Sequence, residues 1–127
     1  MGCVSSNALT INILVEPAYR AKFMEWFDAT YPKYKTYRVI DQYLAVVCVP
    51  NTPIIYWPYY TYSAALVIVY GEQSCQFIST IDRVAECIDS RLHTVHAKSS
   101  DDHRRDAGAA VYIAAISAAC RNLRSVS

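Results

Sequence analysis

Residues 62–70 read Tyr-Ser-Ala-Ala-Leu-Val-Ile-Val-Tyr, and whether this run is a strand or part of a membrane helix decides the fold. It closes a stretch from Leu44 to Gly71 in which no side chain is charged. A helix that spans a bilayer needs about 20 mainly apolar residues in a row. Pro50, Pro53 and Pro58 interrupt this stretch, and proline inside a helix removes a hydrogen bond and clashes with the preceding turn. Its Val, Ile and Tyr content suits a pleated, half-buried surface. The run is therefore expected to be a buried strand, with Gly71-Glu72 turning the chain after it.

Working outward, residues 35–40 and 43–49 have the same β-rich composition, bent near Asp41-Gln42. Residues 74–79, Ser-Cys-Gln-Phe-Ile-Ser, read as a further strand. At the N-terminal side, Thr10-Ile-Asn-Ile-Leu-Val15 alternates Ile11, Ile13 and Val15 on one face. Glu16-Pro17 then opens a helix, because proline is tolerated in the first turn. Over 17–30, Tyr19, Phe23, Trp26 and Phe27 recur at three and four, with Arg20, Lys22, Glu25 and Asp28 opposite. Tyr31-Pro32 ends it, since a residue before proline is pushed out of the helical region.

Downstream, Ile81, Val84, Ala85, Ile88, Leu92 and Val95 form a stripe of helical period over 80–96, with Ser79 and Asp82 as a variant capping box. Residues 97–102 are polar and read as a loop. The last helix is expected over 102–123, apolar almost all round from Ala109 to Cys120. The element order is then β-α-β-β-β-(β)-α-α. It predicts an α+β two-layer fold: an antiparallel sheet of four to five strands covered by helices. This order resembles the small scaffold shared by profilin-like, longin-like and roadblock-like modules. Residues 10–127 form one domain behind a flexible segment at 1–9. The expected core holds Phe23, Phe27, Val67, Val69, Ile88, Leu92, Ile113 and Ile116.

Composition bounds the function. The chain has 127 residues, 54% hydrophobic and only 18% charged, which excludes a disordered tail. Its net charge of +1 provides no global field for nucleic acid. With three glycines, cofactor loops built on repeated glycines are excluded. The five cysteines, Cys3, Cys48, Cys75, Cys87 and Cys120, are odd in number and lack paired spacing, and Cys48, Cys75, Cys87 and Cys120, in apolar or mixed stretches, are expected to be buried thiols in a reducing compartment. The N-terminus has neither a basic region nor a long apolar one, so no secretory signal is expected. Met1-Gly2-Cys3-Val4-Ser5-Ser6 instead resembles a myristoylation signal, which implies Gly2 as acceptor and Cys3 as the site of a second acyl chain, palmitate.

No metal, cofactor or catalytic set is expected. His93 and His96 are three apart and would share a helical face, where Cys87, Asp101 or Asp102 could join them on a metal. The preferred reading is a solvated pair near a helix end, with Lys98, Ser99 and Ser100 just after it. Asp82, Glu86 and Asp89 alternate with Arg83 and Arg91 as a solvated helix face does. The most unusual stretch is Tyr56-Trp57-Pro58-Tyr59-Tyr60-Thr61-Tyr62. Tyr and Trp dominate interface hot spots, and two prolines at 53 and 58 bar a continuous central strand. Tyr56, Trp57, Tyr59 and Tyr60 are therefore the expected partner-binding residues.

His103-Arg104-Arg105, followed by Ala114-Ala115-Ile116-Ser117-Ala118-Ala119, resembles the closing helix of double-stranded RNA-binding domains. The resemblance implies phosphate contacts from Arg104 and Arg105 and packing by Ala114, Ala115 and Ala118. The leading expectation is a cytoplasmic, non-enzymatic protein-interaction module, tethered to a membrane surface where Gly2 and Cys3 are acylated. Its partner would be another protein or a second copy of the chain, met through the aromatic run or the Ala-rich last helix. Duplex RNA is the weaker alternative partner. A small enzyme or metal protein around His93 and His96, with no reaction class, is the third.

Overall fold

The computed structural model describes residues 9–34, 37–48, 63–71, 93–99 and 105–126. They form an α+β fold with one mixed five-stranded sheet and two helices. The strands are β1 (Thr10–Val15), β2 (Arg38–Ile40), β3 (Tyr43–Cys48), β4 (Ser63–Gly71) and β5 (His93–Ser99). The helices are α1 (Arg20–Thr30), entered through a 3-10 turn at Pro17–Tyr19, and α2 (Arg105–Val126). The spatial order is β2-β3-β1-β4-β5.

The strand directions correct the antiparallel expectation. β1 pairs in parallel with β3 on one side and with β4 on the other, and β4 pairs in parallel with β5. Only the β2–β3 hairpin is antiparallel. The physical reason lies in burial. β1 is buried at every one of its six positions, so its alternation of Ile11, Ile13 and Val15 does not mark a solvated opposite face. β4 is buried without a break from Ala65 to Val69. Near-continuous apolar strands are the mark of parallel sheets.

The β2–β3 hairpin turns at Asp41-Gln42, where the bend was expected. Asp41 takes φ 59°, the left-handed region that Asp tolerates better than most residues. α1 stops at Tyr31, whose backbone is extended just before Pro32, as the sequence predicts.

β5 is a second correction. His93, Thr94 and Val95 were expected to end a helix, and Ala97 onward to be loop. They are strand, paired from Ala65↔His93 to Gly71↔Ser99. Two patterns compete in this segment: a helical stripe that reaches Val95, and a strict alternation in which Thr94, His96 and Lys98 are exposed while Ala97 is buried. Pairing along β4 selects the alternation. Lys98 on this edge also discourages pairing with another sheet. The expected strand at 74–79 and helix over 80–92 lie outside the described residues.

Both helices lie on one face of the sheet. Ile11, Ile13, Val15, Val67, Val69 and Ala97 meet Phe23 and Phe27 of α1 and Tyr112, Ile116 and Leu123 of α2. A second buried cluster, Leu14, Val46, Cys48, Leu66 and Ile68, comes from the opposite face. Of the expected core, Phe23, Phe27, Val67, Val69 and Ile116 are buried, and Ile88 and Leu92 lie outside the described residues. Ile113 is the exception, 48% exposed. The inward face of α2 is carried by 112, 115, 116, 119, 120 and 123, and a helix apolar almost all round does not reveal which side its neighbours will cover. Among the described residues no helix is long and apolar enough to cross a membrane.

Candidate functional site

The sheet order creates one place where a ligand would ordinarily sit. From β1 the chain moves to β3 on one side, then returns to place β4 on the other. Such a reversal leaves a crevice beyond the carboxyl ends of the two central strands, the usual binding place in open parallel sheets. Glu16 follows β1 here and Gly71 ends β4.

In this chain the crevice is closed by its own residues. The Glu16 backbone N–H donates to the Val69 carbonyl at 2.8 Å. The Gly71 N–H donates to Glu16 Oε2 at 2.9 Å. The Tyr19 ring lies directly over Gly71, so a Cβ there would fall 2.6 Å from ring Cε2. This is a requirement for space rather than for unusual backbone, since no glycine among the described residues has positive φ. The carboxylate takes the strand-end N–H that a bound anion would otherwise use, and it repels phosphate. Local sequence marks Glu16 only as a helix opener, because the contact joins residues 55 apart.

Gly71→Ala is expected to push Tyr19 off the strand end and to cost about 1–2 kcal/mol by overpacking. The double variant with Tyr19→Ala should cost less than the sum of the two single changes. Denaturant melts of the four chains measure this coupling, and strict additivity would disprove the contact.

Neither cysteine among the described residues is an activated nucleophile. Cys48 closes β3, and burial pushes its thiol up to about 12, so it stays protonated. It donates to Asn12 Oδ1 at 3.3 Å. Burial also raises Cys120. Positions 93 and 96 do not share a face, because three residues along a strand reach opposite sides. His96 is exposed and stands edge-on to Tyr70, ring centres 5.7 Å apart. Among the described residues no three His, Cys, Asp or Glu side chains are grouped as a metal site would need.

The remaining sequence candidates are placed as follows. Tyr56, Trp57, Tyr59, Tyr60, Gly2, Cys3, Cys87, Arg104, Asp101 and Asp102 lie outside the described residues. Arg105 is the first residue of α2. Of the three alanines that the RNA-binding resemblance assigned to packing, Ala115 is buried, Ala118 half-buried and Ala114 exposed.

The outer face of α2 is the second candidate. Ala110, Ile113, Ala114, Ser117 and Arg121 are all exposed and recur at helical spacing along one side. Ile113 is a large aliphatic side chain in the middle of it. Beyond Arg121, Arg124 donates to Asp41 Oδ2 at 2.9 Å, tying the end of α2 to the hairpin. No family model, curated protein or solved structure matches the chain.

Proposed function

We propose that this chain is a non-enzymatic protein-interaction module that makes its contact through the outer face of α2. The observation that carries the proposal is Ile113, 48% exposed at the centre of a helix face otherwise lined by small side chains. A flat face of small residues lets another backbone approach closely, and the single large aliphatic group provides an anchor. A second observation agrees: Glu16 and Tyr19 already fill the crevice where a small ligand would ordinarily bind. Tyr56, Trp57, Tyr59 and Tyr60 stay in the proposal as a further contact on sequence grounds, as does the tether through Gly2 and Cys3.

Photo-crosslinking tests it. Benzoylphenylalanine placed at position 113 should give a discrete protein adduct, and the same probe at the exposed Glu25 of α1 should not. Excess unlabelled wild-type chain should suppress the adduct, whereas Ile113→Asp chain should fail to. Equal labelling from both positions, or equal suppression by both competitors, would overturn the proposal.

A further inference from the structure

Building on the proposed tether through Gly2 and Cys3, we infer that the end of the sheet where β1 begins is a membrane-facing surface that rests on the headgroups of an anionic bilayer. Leu9 marks the entry of the chain into the fold. It lies beside the start of β3, where its carbonyl accepts from the Leu44 N–H at 3.1 Å. Residues 2 to 9 are joined by seven peptide steps, which limits the reach from an anchored Gly2 to about 25 Å. β1, with six residues, is itself about 20 Å long. The opposite end of the sheet can therefore meet the bilayer only with those steps stretched nearly straight along the strand, at a large loss of backbone freedom. The entry end meets it without that restriction.

The chemistry of the entry end fits such a surface. The β2–β3 turn is here, and Arg124 near the end of α2 donates to Asp41 in that turn. Tyr31, which ends α1, lies near Cys120, and Cys120 near Asp41 and Arg124. The ends of both helices therefore gather beside the turn, and with them the exposed Lys33, Arg121 and Arg124. Lys33 is two residues from Tyr31 and so within about 7 Å of it. Arg121 precedes Arg124 by one helical turn. Asp41 offsets one of the three cations and Asp28 is matched by Arg38, which leaves an excess of positive charge among these residues. Each Lys or Arg beside anionic lipid raises partition by about fivefold. A single myristoyl chain binds only reversibly, and a basic patch is one of the second signals that makes it hold. Arg20 at the start of α1 and Lys98 near the end of β5 are exposed cations at the opposite end, so the tether, and not charge alone, selects the entry end. Ile113, eleven residues before Arg124, stands about 16 Å away along α2, and the protein-binding face stays clear of the bilayer.

Co-sedimentation of the full chain with lipid vesicles tests this. The chain is produced with and without N-myristoyltransferase, and the vesicles are phosphatidylcholine alone or with about 30% phosphatidylserine. The acylated chain should bind the phosphatidylserine vesicles about tenfold more tightly than the neutral ones, or better. Lys33→Glu with Arg121→Glu should remove that preference. Arg20→Glu with Lys98→Glu, the same change of charge at the opposite end, should leave it within about twofold, because salt screens charges held away from the surface. Arg124 is kept, since its loss would also free Asp41. Circular dichroism melts check that both double variants fold. If the acylated chain binds both vesicles equally, or the two charge-reversed pairs lose equally, the surface falls and the tether stands. If the transferase leaves Gly2 unmodified, or the acylated chain binds no better than the unacylated one, the tether falls and the surface with it.

Discussion

Phe23→Ala should cost about 3–5 kcal/mol, the range for removing a buried phenylalanine. Phe23 is fully buried and is the point where the two helices join. Its ring stacks on Phe27 at 5.1 Å and meets Tyr112 of α2 edge-on at 5.0 Å. Trp26 also touches it, ring centres 5.8 Å apart, and itself approaches Tyr112 at 5.4 Å. Removing the central ring strands the others around a cavity that neither helix can close without leaving the sheet. A domain of this size has about 5–15 kcal/mol in all, so the variant should be close to unfolding at body temperature. Urea melts compare it with Ile113→Ala on the exposed side of α2, which should stay within about 0.5 kcal/mol of wild type. A Phe23→Ala cost below about 1 kcal/mol would mean that the aromatic cluster does not hold the helices together.

The second large effect is expected where a charge is buried. Arg38 on β2 is only 4% exposed. Its guanidinium pairs with Asp28 of α1 and lies 5.0 Å above the Phe27 ring. Among the described residues its Nε finds no hydrogen-bond partner. Among the described residues Asp28 is the only carboxylate paired with it, and that carboxylate is 57% exposed. Asp28→Ala leaves a buried cation uncompensated. It should cost about 2–4 kcal/mol, somewhat below the usual figure for a broken buried pair because water reaches one side. Arg38→Met keeps the apolar stem over Phe27 and removes the charge, so it should cost less than about 1 kcal/mol or even stabilise. Asp28→Ala combined with Arg38→Met should then recover most of the loss. Equal costs for the two single variants would show that the stem, not the charge pair, is what matters at this position.

Much of the local structure was legible in the sequence. Thr10–Val15, Arg38–Ile40, Tyr43–Cys48 and Ser63–Gly71 are strands where composition places them. Prolines at 17 and 32 mark the two ends of the first helical segment. These features are set by neighbours within one or two turns of chain, and side-chain type and spacing express such forces directly. The candidate site was much less legible. Glu16, Tyr19 and Gly71 meet only after the sheet is assembled, and nothing local to any of them announces the other two.

The amino-acid sequence by itself determined the α+β class, the strands Tyr43–Cys48 and Ser63–Gly71 at the two ends of the charge-free middle, and the burial of Phe23 and Phe27 by α1. Periodicity and proline stereochemistry suffice for that, because both act along the chain. Three things were decided by tertiary structure alone. The directions of the strands became parallel because β1 is covered on both faces. Residues 93–99 became an edge strand because β4 offered its ladder to a segment that could follow either period. Ile113 was left facing outward because α2 is apolar nearly all round, so only the position of the sheet and of α1 could choose which side to bury.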